Sequence, residues 1–407
     1  MTVTTGLSGN EIFCLAEKGY APGNIIVGNS VHSLGIVRSV GSGLKAMLGG
    51  ELKQITQLIE EGRKTAYQRM LQEAVEQKAT GVTGVGSQLI FHGANVEFLS
   101  IGSAVHATSS SLSKFSTSAD GQELYAQLDA GYRPICFAFG NVAYAIGLGR
   151  GILGSLKTMA RGEIKEYSNI FNQTRHLALS RIIENARQHD ANAVVGIKTT
   201  ILPFGGVNEM LMIGTASHNP ALPGEKSNDP VSSDMTNIEM WNMANKGYMP
   251  LRLLLGTSVY SLGLVGGITS TLKSFVRGEI NELTRLIYDA RENALSIINE
   301  EAKSIGADDV VGVKTYVYQL GNGLIEFLAI GTAVKKFSAI KTESSQLIPQ
   351  SIIVDKDTFY ESTRSNSFNV NINKGEKGGS QSFGPIIILV VLAVLFIHIL
   401  IRGFTGS

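Results

Sequence analysis

Along this chain the spacing of apolar positions switches between two periods, and the same succession comes round three times. In the second pass, Pro134–Ile146 (PICFAFGNVAYAI) is apolar, partly β-branched and bounded by turn signals, which predicts a strand. Glycines and a short LKTM segment follow. From about Glu163 to His189 the period lengthens. Ile164, Tyr167, Phe171, Ala178, Ile182 and Ala186 step mostly by three and four, the stripe of one helical face. The first pass repeats that stripe with Leu52, Ile55, Ile59, Ala66, Met70 and Ala74, and the third with Ile280, Leu283, Ile287, Ala294, Ile298 and Ala302. Gly306 then fits a helix C-cap. VVGVKTYVY (310–318) and LIEFLAIGTAV (324–334) read as consecutive strands joined by the hairpin signal Leu320-Gly-Asn-Gly323. The predicted unit is β-α-β-β, one long helix on a small, mainly antiparallel sheet, and the fold class is α+β.

The three passes align almost without gaps. Glu11–Val105 matches Glu123–Ser217, which in turn matches Glu239–Val334 with one inserted residue. The opening recurs as EKGYAP (17–22), DAGYRP (129–134) and NKGYMP (245–250), and the close as VEFLSIGSA (96–104), NEMLMIGTA (208–216) and IEFLAIGTA (325–333). We expect modules at 11–105, 123–217 and 237–334, with His106–Gly121 and His218–Thr236 as linkers. A three-stranded sheet covered by one helix leaves its edges open, a strong reason for such units to associate.

Beyond the third module, 335–384 reads as a stalk, and Pro385–Ile401 (PIIILVVLAVLFIHILI) is apolar except for His398. At about 1.5 Å per residue this run spans roughly 26 Å, the short end of a hydrocarbon core. It predicts a single transmembrane helix acting as a C-terminal tail anchor in contact with the lipid bilayer. No apolar stretch at the start suggests a signal peptide, so the modules are expected on the cytoplasmic side of the membrane.

Composition narrows the chemistry. The 407 residues are 43% hydrophobic, enough for buried cores, and 35 Lys+Arg against 34 Asp+Glu leave a charge of +1, which argues against a nucleic-acid partner. Two cysteines supply neither a disulfide framework nor a four-cysteine zinc site. Neither recurs: Cys14 aligns with Ala126, and Cys136 with Asn24 and Arg252. The histidines do not repeat either, so no Cys/His metal site and no cofactor is expected. No nucleophile elbow or P-loop is present, and GLGRGILG (147–154) does not keep its glycine spacing in the other copies. The chain is therefore read as a non-enzyme with no catalytic set. The repeated glycines Gly35, Gly147 and Gly263, and Gly102, Gly214 and Gly331, read as bulges or close backbone approaches.

What does repeat is charge. Lys45, Lys157 and Lys273 precede Glu51, Glu163 and Glu279; Arg63, Arg175 and Arg291 follow on the helix; and Glu97, Glu209 and Glu326 recur on the last strand. One reading is an anion-binding constellation near a helix N-terminus. The other is structural: the glutamates complement the helix dipole, and Arg and Glu bridge adjacent modules.

The order GY-P, a GE-led helix carrying Arg175 and Ala178, ANAVVGIK (191–198) and the closing IGTA (213–216) resembles the YbjQ-like family, small bacterial proteins labelled heavy-metal-binding. The resemblance covers nearly all of 11–334. It implies a dodecin-like β-α-β-β subunit that assembles into a pentameric ring, with metal binding as the family label. The function expected is therefore a membrane-tethered, homo-oligomeric ring-forming scaffold. The alternative is a metal- or small-ligand-binding protein that uses the ring lumen or inter-module clefts.

Overall fold

The computed structural model describes residues 2–33, 50–109, 113–145, 162–204, 207–223, 229–262, 281–321 and 324–348. All of these belong to one compact unit, Met1–Thr358. Each repeat opens with a short helix that periodicity did not announce: α1 (Gly9–Glu17), α3 (Gly121–Asp129) and α5 (Asn237–Asn245). Their starts are written in the sequence as caps. Ser8 and Thr236 form capping boxes with Glu11 and Glu239, and Asp120 accepts from the amides of Gln122 and Glu123.

A long strand follows in each repeat, β1 (Tyr20–Ser33), β6 (Arg133–Ala145) and β11 (Tyr248–Ser261). Next come the long helices α2 (Lys53–Glu76), α4 (Lys165–Arg187) and α6 (Asn281–Ser304). Each repeat closes on a hairpin: β3 (Gly81–His92) with β4 (Asn95–Ala107), β8 (Ala193–Phe204) with β9 (Val207–His218), and β12 (Asp309–Gly321) with β13 (Leu324–Lys336). In all three sheets the last strand is central, antiparallel to both neighbours. Gly306, at φ 67°, follows α6 as the C-cap signal required.

Short pieces tie the repeats together. β2 (Gly50–Glu51) and β7 (Gly162–Glu163) do not begin the long helices; they leave their own repeat and pair antiparallel with the first strand of the next. Glu51 lies opposite Tyr144 on β6, and Glu163 opposite Tyr260 on β11. The inter-repeat segments also contribute edge strands, β5 (Phe115–Ser116) parallel to β3 and β10 (Val231–Ser232) parallel to β8.

Packing explains why β6 and β11 are apolar on both faces. Ala138, Val142 and Tyr144 of β6 join the core under α4, while Ala143 and Ala145 join a core with Ile55 and Ile59 of α2. Strands buried on both sides read as continuous apolar runs. The helices come very close to their own strands at one glycine per repeat. A Cβ on Gly28, Gly140 or Gly256 would stand 2.1, 2.5 or 2.0 Å from the carbonyl oxygen of Ala66, Ala178 or Ala294. These three glycines occupy matching positions and were not singled out by the sequence reading. Gly102, Gly214 and Gly331 are also close approaches, their nearest neighbours at 2.7, 3.2 and 3.0 Å; Gly35, Gly147 and Gly263 lie outside the described residues.

The expected transmembrane helix requires correction. Among the described residues no helix is long and apolar enough to cross a membrane, and Pro385–Ile401 lies outside them. The architecture is α+β repeats without the predicted span, so the tail-anchored class and the membrane location are not carried further. Residues 337–348 follow β13 back over the body, where Ile340 is buried beside Trp241 and Met249.

The glycine contacts yield a direct expectation. Gly140→Ala forces a methyl into the α4 backbone and should cost at least about 1–3 kcal/mol. Gly9→Ala, with open space around it, should stay within about 0.5 kcal/mol. Guanidinium unfolding of the two variants measures the contrast.

Candidate functional site

The repeated charges gather where repeats meet. On α2, Arg63 is 1% exposed and reaches out of its own repeat to Glu209 on β9, with Nε at 2.9 Å from Oε1 and Nη2 at 2.6 Å from Oε2. Arg175, at the matching position of α4, does the same to Glu326 on β13, at 3.1 and 2.7 Å. Both acceptor carboxylates are completely buried. Bidentate geometry fits two parallel N–H donors to two oxygens and makes these the strong kind of charge-assisted pair. Around Arg175 the charge is further lodged against the rings of Tyr144 at 4.6 Å and Phe171 at 5.5 Å. Burial opposes the Arg175 charge, but the Glu326 carboxylate outweighs it and pushes the guanidinium pKa further up.

Two other contacts recur beside each pair. The Thr56 hydroxyl accepts from the Ala143 amide at 3.0 Å, and the Ser168 hydroxyl, one repeat on, accepts from the Val259 amide at 2.9 Å. Glu51 meets Arg181 at 2.6 Å across the first junction, while Glu163 accepts from Asn293 at 3.4 Å across the second. The Arg–Glu pairs and the hydroxyl contacts run from the helix of one repeat to the sheet of the next, and Glu51 and Glu163 reach from the connecting strand to the next repeat's helix.

The remaining members of the charge set are not brought together. Glu97 on β4 accepts from Asn29 at 2.9 Å and contacts His92 at 2.7 Å, and these two hydrogen bonds hold its carboxyl below the usual range. Arg291 on α6 is exposed and has no carboxylate partner among the described residues. Lys45, Lys157, Lys273 and Glu279 lie outside the described residues. Thus Glu51 and Glu163, predicted to lead the helices, occupy inter-repeat strands instead, and the lysines of the expected anion-binding constellation lie outside the described residues.

A second polar hub joins the short helices. Asp129, fully buried, accepts from Trp241 Nε1 at 2.7 Å, Lys18 Nζ at 2.9 Å and the Ser344 hydroxyl at 2.8 Å. Burial alone would raise the Asp129 pKa, but these donors hold it below the ordinary value. Nearby, a cavity of about 730 Å³ between the first two repeats is lined by Lys18, Tyr20, Phe115, Arg133, Asn219 and Lys341. The sequence reading missed this hub because its members do not repeat: Asp129 aligns with Glu17 and Asn245.

For a soft metal the residues are unsuitable. Burial pushes the thiols of Cys14 and Cys136 up to about 11, which disfavours the thiolate that coordination requires. Among the described residues no group of three His, Cys, Asp or Glu side chains converges.

The chain matches the family described as "Putative heavy-metal-binding" over residues 18–108, 132–219 and 242–336, and it belongs to this YbjQ family three times over. It is 30% identical over 227 residues to the encapsulin nanocompartment protein Rv1762c of Mycobacterium tuberculosis, covering 52% of this chain and 84% of that one. A single repeat is 43% identical over 81 residues to a UPF0145 protein of Methanoregula boonei, spanning 20% of this chain and 68% of the relative. Another such protein, from Archaeoglobus fulgidus, is 41% identical over 85 residues, 21% of this chain and 79% of the relative.

The buried pair is testable by itself. Arg175→Met strands the Glu326 carboxylate in a shared core and should cost about 3–5 kcal/mol, while Arg175→Met with Glu326→Leu should recover most of that loss; denaturant midpoints decide. A second expectation concerns pH. His176 on α4 stands 3.6 Å from Glu301 on α6, which raises its pKa above 6.5 against the opposing effects of burial and of Arg252. A raised folded-state pKa stabilises below about 6.5, and that contribution is lost as pH rises through the folded value. Melting temperature should therefore fall above neutrality with a slope that His176→Gln reduces.

Proposed function

We propose that this chain is a non-enzymatic, self-associating scaffold subunit, with the modules 11–105, 123–217 and 237–334 as its building blocks. The observation that carries the reading is the helix-to-next-sheet junction. It is used twice in one chain with the same buried Arg–Glu pair, Arg63–Glu209 and then Arg175–Glu326. A contact in which one unit's helix face meets another's sheet face is heterologous, and such contacts propagate until they close a ring or continue as a filament. The relative named as an encapsulin nanocompartment protein supports a role in a multimeric assembly. Repeated Arg and Glu act in this reading as register-setting interface residues. Sedimentation of the full-length chain tests it. The expected result is a concentration-dependent species whose mass is a multiple of 43.5 kDa; a 43.5 kDa monomer persisting at tens of micromolar would contradict it.

The inter-repeat cavity favours a second reading, retention of a small anionic ligand. Its wall carries Arg133 of the second repeat and Lys341 after β13, beside a Lys18 that is already paired with Asp129 and with Glu343 of the same wall. Calorimetric titration with inorganic phosphate should give heat that Arg133→Ala abolishes; equal heats for both proteins remove this reading.

A further inference from the structure

The junction is satisfied twice and left open twice. Each sheet that follows another repeat is covered by that repeat's helix, but among the described residues no helix covers the outer face of the first sheet. Its outer row shows the consequence. Ile25, Val27 and Val31 of β1 are 38%, 41% and 58% exposed. Their third-repeat counterparts, Leu253, Leu255 and Val259, are 0% exposed beneath α4. Likewise, among the described residues no further sheet covers the outer side of the third repeat's helix. Its core contains only third-repeat residues, whereas the core around α4 draws on two repeats. Ser168 and Arg175 are buried, and their counterparts Thr284 and Arg291 are exposed. Tyr288 beside them is 54% exposed.

We infer that the bare α6 face of one chain seats on the bare β1/β4 face of a second copy of the same chain, through an intermolecular Arg291–Glu97 pair. This rests on the self-association proposed above and names its partner and contact. Charge complementarity selects the occupant. Arg291 is the one member of the repeated arginine set without a carboxylate among the described residues, and Glu97 is the one member of the repeated strand glutamates without an arginine. The first two junctions supply the expected details: Arg291 donates through Nε and Nη2 to Glu97, and the Thr284 hydroxyl accepts from the Val31 amide. Because successive repeats of one chain already sit side by side through this junction, a closed assembly built this way contains modules in multiples of three. The five-module ring implied by the family resemblance does not meet that condition.

Charge reversal on the full-length chain tests the pairing. Arg291→Glu and Glu97→Arg each place like charges at every chain-to-chain contact and should each weaken association at least tenfold. The double variant restores opposite charges at every contact and should regain the wild-type mass; mixed one to one, the single variants should pair with each other, and they close the wild-type ring where its chains are even in number. Arg291 is exposed in the single chain, whereas the Glu97 side chain is 17% exposed and bonded to Asn29 and His92; unchanged circular dichroism and melting at dilution show that the variants are folded. Val31→Asp, on the bare sheet face, gives an independent disruption. If the wild type assembles but the single reversals assemble equally well, or if the double variant fails to recover, this contact is refuted while self-association stands. A wild type that never associates removes both.

Discussion

Everything in this architecture depends on a helix having two apolar sides and only one sheet of its own. α4 lays Ala178 and Ile182 against its own strand at Gly140 and Phe171 against its own repeat's Tyr144, while Ser168 and Arg175 reach Val259 and Glu326 of the next repeat and the shared core also holds Leu253, Leu255 and Val259. Such a helix cannot be covered by a single β-α-β-β unit. A lone repeat would leave an apolar face of strand residues and a half-covered helix in water, at roughly 25 cal/mol for each square ångström. Tandem repetition covers two of the three helices within one polypeptide.

The buried Arg–Glu pairs give that stacking its register. Apolar faces alone would tolerate sliding of a helix along a sheet, since any overlap buries area. A bidentate pair with both partners fully enclosed does not, because displacement by even one residue leaves two charges desolvated and unmatched. The Thr56 and Ser168 hydroxyls add a fixed point at the other end of each contact, on the amides of Ala143 and Val259. The inter-repeat strands β2 and β7 supply a third.

Repetition made much of this visible before any coordinates. Six-position stripes placed the helices, and the Leu320–Gly323 signal falls at the turn between β12 and β13, where Gly321 pairs with Leu324. Charged positions were found because they recur, and one reading had Arg and Glu bridge adjacent modules, but the direction of the offset, each arginine to the glutamate one repeat later, was not in the sequence. Asp129 and Trp241 escaped because neither recurs, and α1, α3 and α5 because nine residues are too few for a period. Gly28, Gly140 and Gly256 sat inside strands, where only the approach of a helix backbone explains them. For the apolar run 385–401, hydropathy was read as a membrane span, and no described helix has that character.

The central claim, that a helix of this protein is complete only between two sheets, is tested most directly by amide hydrogen exchange on the full-length chain across a dilution series. The account predicts that α4 is strongly protected at every concentration. Amides of α6 should exchange faster when the chain is dilute and approach α4 as concentration rises. Equal protection of α4 and α6 in dilute solution, unchanged on concentrating, would contradict it.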